Sequence, residues 1–506
     1  MIKDQKKQGI ILSYIGQAVK LLSGLLYTPV VLRTLGQSEY GVYQLVNSVI
    51  SYLWLFNFGF SASYVRFYSR YKAEKKENKI GELNGMYLVI FIVLMLITSM
   101  CGIVIFANMK GFFGSYITDA EYEIAKPLLA LMLINLAISF PNSVFDAIIL
   151  ANERFVWQRV LVVVENILNP LIAFPLLMIG FGSLGMAFTT TALTTIKFVI
   201  NGFYCVRKLQ TRFIFSNFDF SLFREMWVFT FFIFLNQVID QVNWSVDRYL
   251  LGRMSGSTEV AVYSLGGQIN TMYLSLSTAI SSVFVPKVND MVARDDDSTA
   301  KLSDLFIRLG RIQFMIVALA ASGFVLWGRK FINMWAGESY DKSYFVTLLL
   351  ILSVTIPLTQ NIGIEILRAK NRHRIRTIVY SIIAIGNIFI SIPLIKAAGA
   401  IGAATGTAIA LVVGNVCFMN WYYAKYIKLD IAEFWRNLGK IGLALIIPIC
   451  LGWFMTTYWN MDNIVIWILS IMIYIIVYLA ALYIVAMNRQ EKANVRSLLW
   501  RKHESK

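Results

Sequence analysis

The chain has 506 residues, of which 58% are hydrophobic and only 15% are charged, and its net charge is +17. These proportions exclude a soluble globular protein of this length, whose surface would need many more charged side chains. They favour a chain of apolar helices that spans a membrane.

Long apolar runs follow one another along the chain, separated by short polar loops. A helix needs about 20 apolar residues to cross about 30 Å of hydrocarbon, whereas barrel strands alternate over about 10 residues. We therefore predict an all-α membrane protein with fourteen transmembrane helices. The predicted spans are 9–32, 40–65, 84–106, 125–150, 160–181, 184–206, 227–251, 260–285, 312–331, 344–367, 378–395, 399–422, 438–458 and 464–487.

Most of the 46 lysines and arginines fall in alternate loops, on the same side as the N-terminus. Because short loops rich in lysine and arginine stay on the cytoplasmic side, we predict that both termini are cytoplasmic. The positive charge thus reflects topology, and no nucleic-acid partner is expected. The basic loop 368–376, RAKNRHRIR, sets orientation and secondarily favours contact with anionic membrane lipids.

Cysteine and histidine are scarce and scattered. The four cysteines lie in apolar runs without paired spacing, and both histidines lie in polar segments. We therefore expect no disulfide, metal site or cofactor. The loops on the outer side are too short to form a catalytic domain, so we also expect no enzymatic activity.

Part of the chain is duplicated. Residues 33–45, RTLGQSEYGVYQL, recur about 220 residues later as residues 253–265, RMSGSTEVAVYSL, with six identities in thirteen positions. The glycine pair Gly36/Gly256 suits a helix C-terminus, and the glutamate pair Glu39/Glu259 suits the start of the next helix. A second echo relates residues 169–176, NPLIAFPL, to residues 387–394, NIFISIPL.

The duplication predicts two copies of a six-helix lobe. Six helices separate the copies, an even number, so both have the same orientation and are related by a pseudo-two-fold axis along the membrane normal. The predicted parts are an N-terminal lobe (1–206), a cytoplasmic linker (207–226), a C-terminal lobe (227–425), helices 13 and 14 (426–487) and a basic cytoplasmic tail (488–506).

Two charged residues lie close to mid-membrane at equivalent positions of the repeat, Lys20 in span 1 and Asp240 in span 7. Charges at this depth are costly and usually face a cavity or a partner. Each belongs to a polar stripe on one helix face: Ser13, Gln17, Lys20, Gly24 and Tyr27 in span 1, and Asn236, Asp240, Asn243 and Asp247 in span 7. The stripes predict a hydrated transport cavity, and the alternative is a structural ion pair between Lys20 and Asp240.

Other embedded charges have plainer interpretations. Glu165 in span 5 and Lys197 in span 6 are expected to pair within the N-terminal lobe. Arg33, Arg66 and Arg248 lie near helix ends, where a long side chain reaches the interface at little cost, and the residues alone favour a role as interfacial anchors.

Several motifs resemble a known family. The pattern R-x-L-G-x-x-x-Y-G-x-Y at 33–43, Asp247–Arg248 before the 252–256 turn, and Phe58–Gly59 leading to Arg66 are similar to the polysaccharide transporter branch, the Wzx-type flippases, of the multidrug/oligosaccharidyl-lipid/polysaccharide exporter superfamily. The resemblance covers nearly the whole chain.

The resemblance implies a flippase of the bacterial cytoplasmic membrane. Such a protein moves polyprenyl-pyrophosphate-linked oligosaccharides from the inner to the outer leaflet by alternating access through a cationic cavity, and acts beside glycosyltransferases and a polysaccharide polymerase. It gives weight to Lys20, Arg33, Arg66 and Arg248 as candidate substrate residues, for the pyrophosphate and sugar acids. The polar stripes add Gln17, Asn236 and Asn243 as further candidates. Some relatives couple transport to H⁺ or Na⁺, for which the candidates are Asp240, Asp247, Asn387, Thr405 and Thr407.

Two other transport functions stay open. A multidrug exporter of the same fold would be expected to lack a mid-membrane lysine, so Lys20 argues against it. A flippase for the peptidoglycan precursor lipid II is closer, although relatives with that role are expected to carry several arginines along span 1.

Overall fold

The computed structural model describes residues 2–216, 220–293, 298–370 and 372–500. Within these ranges the chain is helical almost throughout and contains no β-strand. The helices are α1 (Ile2–Leu53), α2 (Phe60–Ala73), α3 (Glu77–Ala107), α4 (Met109–Phe113), α5 (Asp119–Ala151), α6 (Phe155–Ile179), α7 (Gly182–Phe203), α8 (Phe220–Ser255), α9 (Ser257–Ala293), α10 (Ser298–Trp335), α11 (Lys342–Thr359), α12 (Asn361–Ala369), α13 (His373–Leu411), α14 (Met419–Tyr422), α15 (Ile431–Ala444), α16 (Ile446–Tyr458), α17 (Ile464–Ala481) and α18 (Arg489–Trp500).

Eleven helical stretches within the described ranges are long and apolar enough to cross a membrane, which confirms the prediction of an all-α membrane protein. Two of them join two predicted spans across a kink, one at Gly36 in α1 and one at Ala398–Gly399 in α13. The predicted eighth span corresponds to α9, which is not among the eleven. The count of fourteen crossings and the side of the termini stay predictions.

The chain divides into two compact units. The first comprises Met1–Ser264 and Ile388–Ala403, and the second comprises Leu265–Asn387 and Ala404–Lys506. The first unit therefore contains α8 and the beginning of α9 besides the predicted N-terminal lobe. The lobe boundaries inferred from the repeat stay a prediction.

In the first unit, α1 packs on α6 through small residues spaced two turns apart. A Cβ added at Gly9 would lie 2.7 Å from Cβ of Phe155, and one added at Gly16 would lie 3.3 Å from Val163. One helical repeat further, the Ser23 hydroxyl donates to the Asn166 carbonyl oxygen at 3.4 Å. Helices in a membrane gain stability from such close approach, because lipid supplies no hydrophobic driving force between them.

The duplicated turns have the backbone geometry that the sequence predicts. Gly36 has φ 69° and Gly256 has φ 90°, in the left-handed region that glycine enters without steric cost. Each turn ends one helix and lets the next begin at once. The expectation that these glycines end helices is confirmed.

The glutamates of the duplicated turns act at a different helix from the one expected. Glu39 Oε1 accepts a hydrogen bond from the Ser183 backbone N–H at 2.6 Å, at the start of α7. Glu259 Oε2 accepts one from the Ala400 backbone N–H at 2.7 Å, just after the kink in α13. Both carboxylates thus satisfy the free N–H groups of the last helix of their own repeat, because the turn packs against that helix start.

The second unit contains a buried arginine that ties four segments together. Arg311 in α10 is 4% exposed. Its Nε and Nη2 donate to the two carboxylate oxygens of Glu491 in α18 at 2.9 and 2.8 Å, Nη1 donates to Asn437 Oδ1 in α15 at 2.8 Å, and Nη2 also donates to the Ala486 carbonyl oxygen at 2.7 Å. All three guanidinium nitrogens donate hydrogen bonds in these contacts, which hold the start of α18 against α10 and α15.

Glu491 lies beyond the last membrane-spanning helix. Burial raises the pKa of its carboxyl, but the hydrogen bonds from Arg311 and from the Asn488 backbone N–H lower it by more, so the pKa lies below the ordinary value of 4.5. A carboxyl with a lowered pKa stabilises the fold above its ordinary pKa, and this contribution is lost as the pH falls below that value.

We predict that Glu491→Ala lowers the apparent melting temperature in detergent markedly, because removing one partner of a buried ion pair costs about 3–5 kcal/mol. Tryptophan fluorescence during heating measures the effect, and Glu338→Ala, at an exposed acid of the second unit, is the matched control. The unsubstituted protein should also lose stability more steeply than Glu491→Ala as the pH falls below about 4.5. Equal melting temperatures for the two variants would contradict the assignment.

Candidate substrate site

Lys20 lies on α1 in the first unit, and its side chain is exposed, as is that of Gln17 one turn earlier. Among the residues that the structure describes, no acid forms an ion pair with Lys20. The structural ion pair between Lys20 and Asp240 is therefore not formed in this structure. An ammonium group within an apolar span needs water or an anionic ligand beside it.

The polar stripe on α8 divides into two parts. Asn236 and Asp240 are exposed, whereas Asp247 is only 1% exposed. The buried Asp247 accepts a hydrogen bond at Oδ2 from the Tyr263 hydroxyl of α9 at 2.7 Å. The side chain of Asn243 lies outside the described residues. The part near Asp240 is therefore accessible, while Asp247 joins two helices.

Arg248 and Arg33 lie towards the turns of the repeat. Arg248 is half-buried, and its Nη2 donates to the Ser245 hydroxyl at 3.3 Å on the same helix. Arg33 is exposed on α1, three residues before the kink at Gly36. The role of these arginines towards a substrate stays a prediction.

Arg66 lines a cavity of about 620 Å³ between α2 and the beginning of α8, within the first unit. Its guanidinium lies 4.8 Å from the ring centroid of Phe229. A second arginine, Arg224, lines the same cavity, and the complete lining is Arg66, Ser221, Arg224, Glu225, Val228 and Phe229.

The cavity has a net positive charge. Its one acid, Glu225, already pairs with Arg70 at 3.4 Å. In the described part of the chain, neither Arg66 nor Arg224 has an ion-pair partner. Two free guanidinium groups beside the apolar side chains of Val228 and Phe229 suit an amphiphile with a phosphate headgroup, because guanidinium binds phosphate oxygens in pairs.

A break in the second predicted span positions this cavity. Phe58 (φ 51°) and Gly59 (φ 71°) separate α1 from α2. A Cβ at position 59 would lie 2.6 Å from Ile233 Cγ2, so glycine lets α8 pass close to the break. The Phe58 ring packs on Trp227 and Phe234 of α8, with centroids 5.2 and 4.6 Å apart. The break thus holds α2, and Arg66 with it, against α8.

Two of the candidates for ion coupling are in contact. Asn387 Nδ2 donates to Thr407 Oγ1 at 3.4 Å in the second unit, whereas Asp240 belongs to the first unit. The equivalent residues of the first repeat form the same contact, from Asn169 to Thr190 at 3.1 Å. A contact present in both copies is typical of helix packing. A coupling role for Asn387, Thr405 and Thr407 stays a prediction.

Two other embedded charges, Lys197 and Glu165, form a pair, and two cations of the basic loop have partners of their own. Lys197 Nζ lies 3.1 Å from Glu165 Oε2, which confirms the expected pair between α7 and α6. At the basic loop, Arg368 pairs with Glu365 at 2.8 Å, and the Arg376 guanidinium lies 4.4 Å from the Tyr380 ring centroid. Residue 371 of this loop is outside the described residues.

Two residues of interest were missed from the sequence. Arg224 was counted within the predicted linker, although it lies inside α8, one turn before the cavity residue Val228. Glu121 begins α5 in a capping box with Thr118, and the pattern Thr-x-x-Glu before an apolar run would have revealed it. Its second role, in bonding to two distant serines, has no sequence signal.

Comparisons with known proteins agree with this architecture. A family model described as "Polysaccharide biosynthesis protein" matches residues 7–292, more than half of the chain. The chain is 20% identical over 420 residues to the protein named "Putative O-antigen transporter" of Shigella flexneri, covering 81% of this chain and 96% of that one. It is 25% identical over 174 residues to the "Probable flippase AglR" of Haloferax volcanii, covering 34% of this chain and 36% of that one.

Solved structures have the same fold. The structure titled "Lipid II flippase MurJ, inward closed conformation" superposes with a TM-score of 0.74 at 17% identity, over 97% of this chain and 99% of that one. An inward-facing multidrug resistance transporter of the MATE family superposes with a TM-score of 0.63 at 12% identity, over 84% of this chain and 99% of that one. These likenesses establish the fold.

We predict that Tyr263→Phe lowers the apparent melting temperature by several degrees, because it removes a hydrogen bond to the buried Asp247, and bonds to charged groups contribute about 1.5–3 kcal/mol. Heating in detergent with tryptophan fluorescence measures the shift. Tyr458→Phe, at an exposed tyrosine, should leave the melting temperature unchanged. A similar shift in both variants would mean that the hydrogen bond from Tyr263 to Asp247 does not stabilise the fold.

Proposed function

The chain belongs to the polysaccharide biosynthesis protein family, and from that premise we propose that it is a flippase for polyprenyl-pyrophosphate-linked oligosaccharides in the bacterial cytoplasmic membrane. It carries them from the inner to the outer leaflet for assembly of a surface polysaccharide. The relatives named as an O-antigen transporter and a flippase support this class of substrate. Glycosyltransferases that make the oligosaccharide and a polymerase that consumes it are the expected functional partners.

The observation that carries the proposal is the cationic cavity at the inner end of α2 and α8. Arg66 and Arg224 supply two guanidinium groups without acidic partners in the described part of the chain, beside an apolar wall. A pyrophosphate group can leave the aqueous interface only where cations replace its water, and arginine does this in bidentate geometry. The apolar wall suits the first carbons of the lipid.

Lys20 supplies the next positive charge along the proposed path, at mid-membrane depth on α1. Its exposed ammonium has no acidic partner among the described residues, so a passing diphosphate would find it available. The exposed amides of Gln17 and Asn236 are suited to sugar hydroxyls. Asp240 lies at the same predicted depth, and we assign it the coupling of transport to H⁺ or Na⁺.

Two related functions share the fold. A lipid II flippase also carries a diphosphate headgroup, and the superposition on MurJ keeps this function as the second candidate. A multidrug exporter for organic cations fits less well, because unpaired arginines repel a cationic drug. Transport assays with defined lipid-linked substrates distinguish a flippase for oligosaccharides from a lipid II flippase, since the two substrates share the diphosphate and differ in the group attached to it.

We predict that Arg66→Ala and Arg224→Ala each reduce transport at least tenfold, because each removes one of two phosphate-binding groups. The assay reconstitutes the protein in liposomes with a fluorescent polyprenyl-pyrophosphate oligosaccharide and measures its accessibility in each leaflet. Lys72→Ala is the matched control, since Lys72 is an exposed cation of α2 that lies outside the cavity and leaves the pair between Arg70 and Glu225 intact. Full transport by both cavity variants would refute the headgroup site.

We further predict that Lys20→Ala and Asp240→Ala abolish transport while membrane abundance stays near normal. Lys20 removal leaves the diphosphate without a cation at mid-membrane, where charge is most costly. Immunoblotting of membranes with the same leaflet assay measures both quantities. Transport at full rate by the two variants would exclude these side chains from the path.

A further inference from the structure

A single carboxylate connects the two duplicated turns. Glu121, at the start of α5, is 7% exposed. Its Oε2 accepts hydrogen bonds from the backbone N–H and the hydroxyl of Thr118, at 2.8 and 2.9 Å. Its Oε1 accepts one from the Ser38 hydroxyl at 2.6 Å and another from the Ser257 hydroxyl. One oxygen thus caps α5, and the other joins the turn after Gly36 to the turn after Gly256.

Each joined turn is fixed to its own repeat. Glu39 holds the first turn to the start of α7, and Glu259 holds the second turn to the segment after the α13 kink. The local capping of α5 needs only Thr118 and Oε2. The two serine bonds are therefore additional to helix capping, and they connect parts that belong to different repeats.

The contact between the turns is close and allows separation. The backbone of Gly41 approaches the Ser257 carbonyl oxygen so closely that a side chain at position 41 could not be accommodated. The bonds across the gap, however, come from two hydroxyl groups to one carboxylate, and water can replace them when the turns move apart. Hydrogen bonds from hydroxyl groups to a carboxylate are strong when the site is shielded from water. When the site opens, water readily replaces them.

We propose that Glu121 is the latch of the outer gate, a positioning residue for the transport cycle. Its Oε1 holds Ser38 and Ser257 together while the path is closed on the predicted outer side, and it releases them when that side opens. The inference rests on the proposed function, because alternating access requires the repeats to part on one side in each cycle. Substrate can leave on the outer side only after the hydrogen bonds from Ser38 and Ser257 to Glu121 break.

The test measures opening of the outer ends without any substrate. Ser264 lies two turns into α9 after Ser257 and is 8% exposed, so a cysteine there is protected while the turns are joined. The native cysteines Cys101, Cys205, Cys417 and Cys450 are first replaced. The rate at which a membrane-impermeant thiol reagent, added from outside, labels Ser264→Cys then reports how often the latch opens.

We expect Ser257→Ala and Glu121→Gln to raise this labelling rate about tenfold, since each loses at least one hydrogen bond to a carboxylate across the turns. Thr118→Ala removes the cap of α5 but leaves both serine bonds, and should change the rate less than twofold. Ser38→Ala is a second probe of the same oxygen. Variants are compared only after size-exclusion chromatography shows a single folded species.

Two results would overturn the latch. Unchanged labelling in Ser257→Ala and Ser38→Ala would show that the serine bonds do not hold the turns. An equal rise in Thr118→Ala would assign the effect to helix capping. A further arm cross-links Ser38→Cys to Ser257→Cys with a short bis-thiosulfonate reagent. Each thiol displaces a sulfinate and forms a disulfide with the linker, which should stop lipid transport until a reductant cleaves the disulfides. If lipid transport is absent from the uncross-linked protein while labelling follows the expected order, the proposed substrate fails and the latch stands.

Discussion

The interaction on which the first unit depends is the bond between a carboxylate and the free N–H groups at a helix start. A helix leaves four N–H groups unpaired at its beginning, and near hydrocarbon these groups cannot rely on water. Glu39, Glu121 and Glu259 each supply oxygens to one such start. Glu39 caps the start of α7, Glu259 caps the helix start after the kink at Gly399, and Glu121 caps the start of α5. A chain that reverses near hydrocarbon must satisfy its backbone in this way.

The same rule of pairing separates the charges paired within the protein from those that we propose to be functional. Lys197 forms an ion pair with Glu165, and Arg311 forms one with Glu491, so both cations are neutralised within the protein. Lys20, Arg66 and Arg224 have no such acid among the described residues, although they lie in or beside apolar helices. A positive charge kept without a partner in this environment costs stability, and the cost is offset when an anionic ligand binds. Lys20, Arg66 and Arg224 are therefore the cations that we propose along the path of a diphosphate.

Much of the fold could be predicted from the sequence, because hydrophobic length and glycine turns are local signals. The repeat identifies Gly36 and Gly256, which both have positive φ. The site was less accessible to such reasoning. Asp247 belongs to a polar stripe, yet it is buried and hydrogen-bonded to Tyr263, sixteen residues later. The pattern of residues on one helix does not show which side chains a neighbouring helix covers. The sequence does not single out Arg224, because cations in a predicted cytoplasmic loop are usually explained by the orientation of the chain in the membrane. Arg224 becomes a candidate because it lines the same cavity as Arg66. The break at Phe58–Gly59 places Arg66 beside α8, and the sequence does not reveal this placement.

The duplicated features form a repeated scaffold, and the residues that we propose for function lie where the copies differ. Both copies keep the glycine turn, the glutamate cap and the contact between asparagine and threonine, so these features serve the architecture. Position 20 holds a lysine, whereas its equivalent, position 240, holds an aspartate. Glu121 likewise bonds Ser38 of one turn and Ser257 of the other, which are not equivalent positions of the repeat. Asymmetric polar contacts on a symmetric frame can be formed and broken without unfolding either copy, as a cycle of alternating access requires.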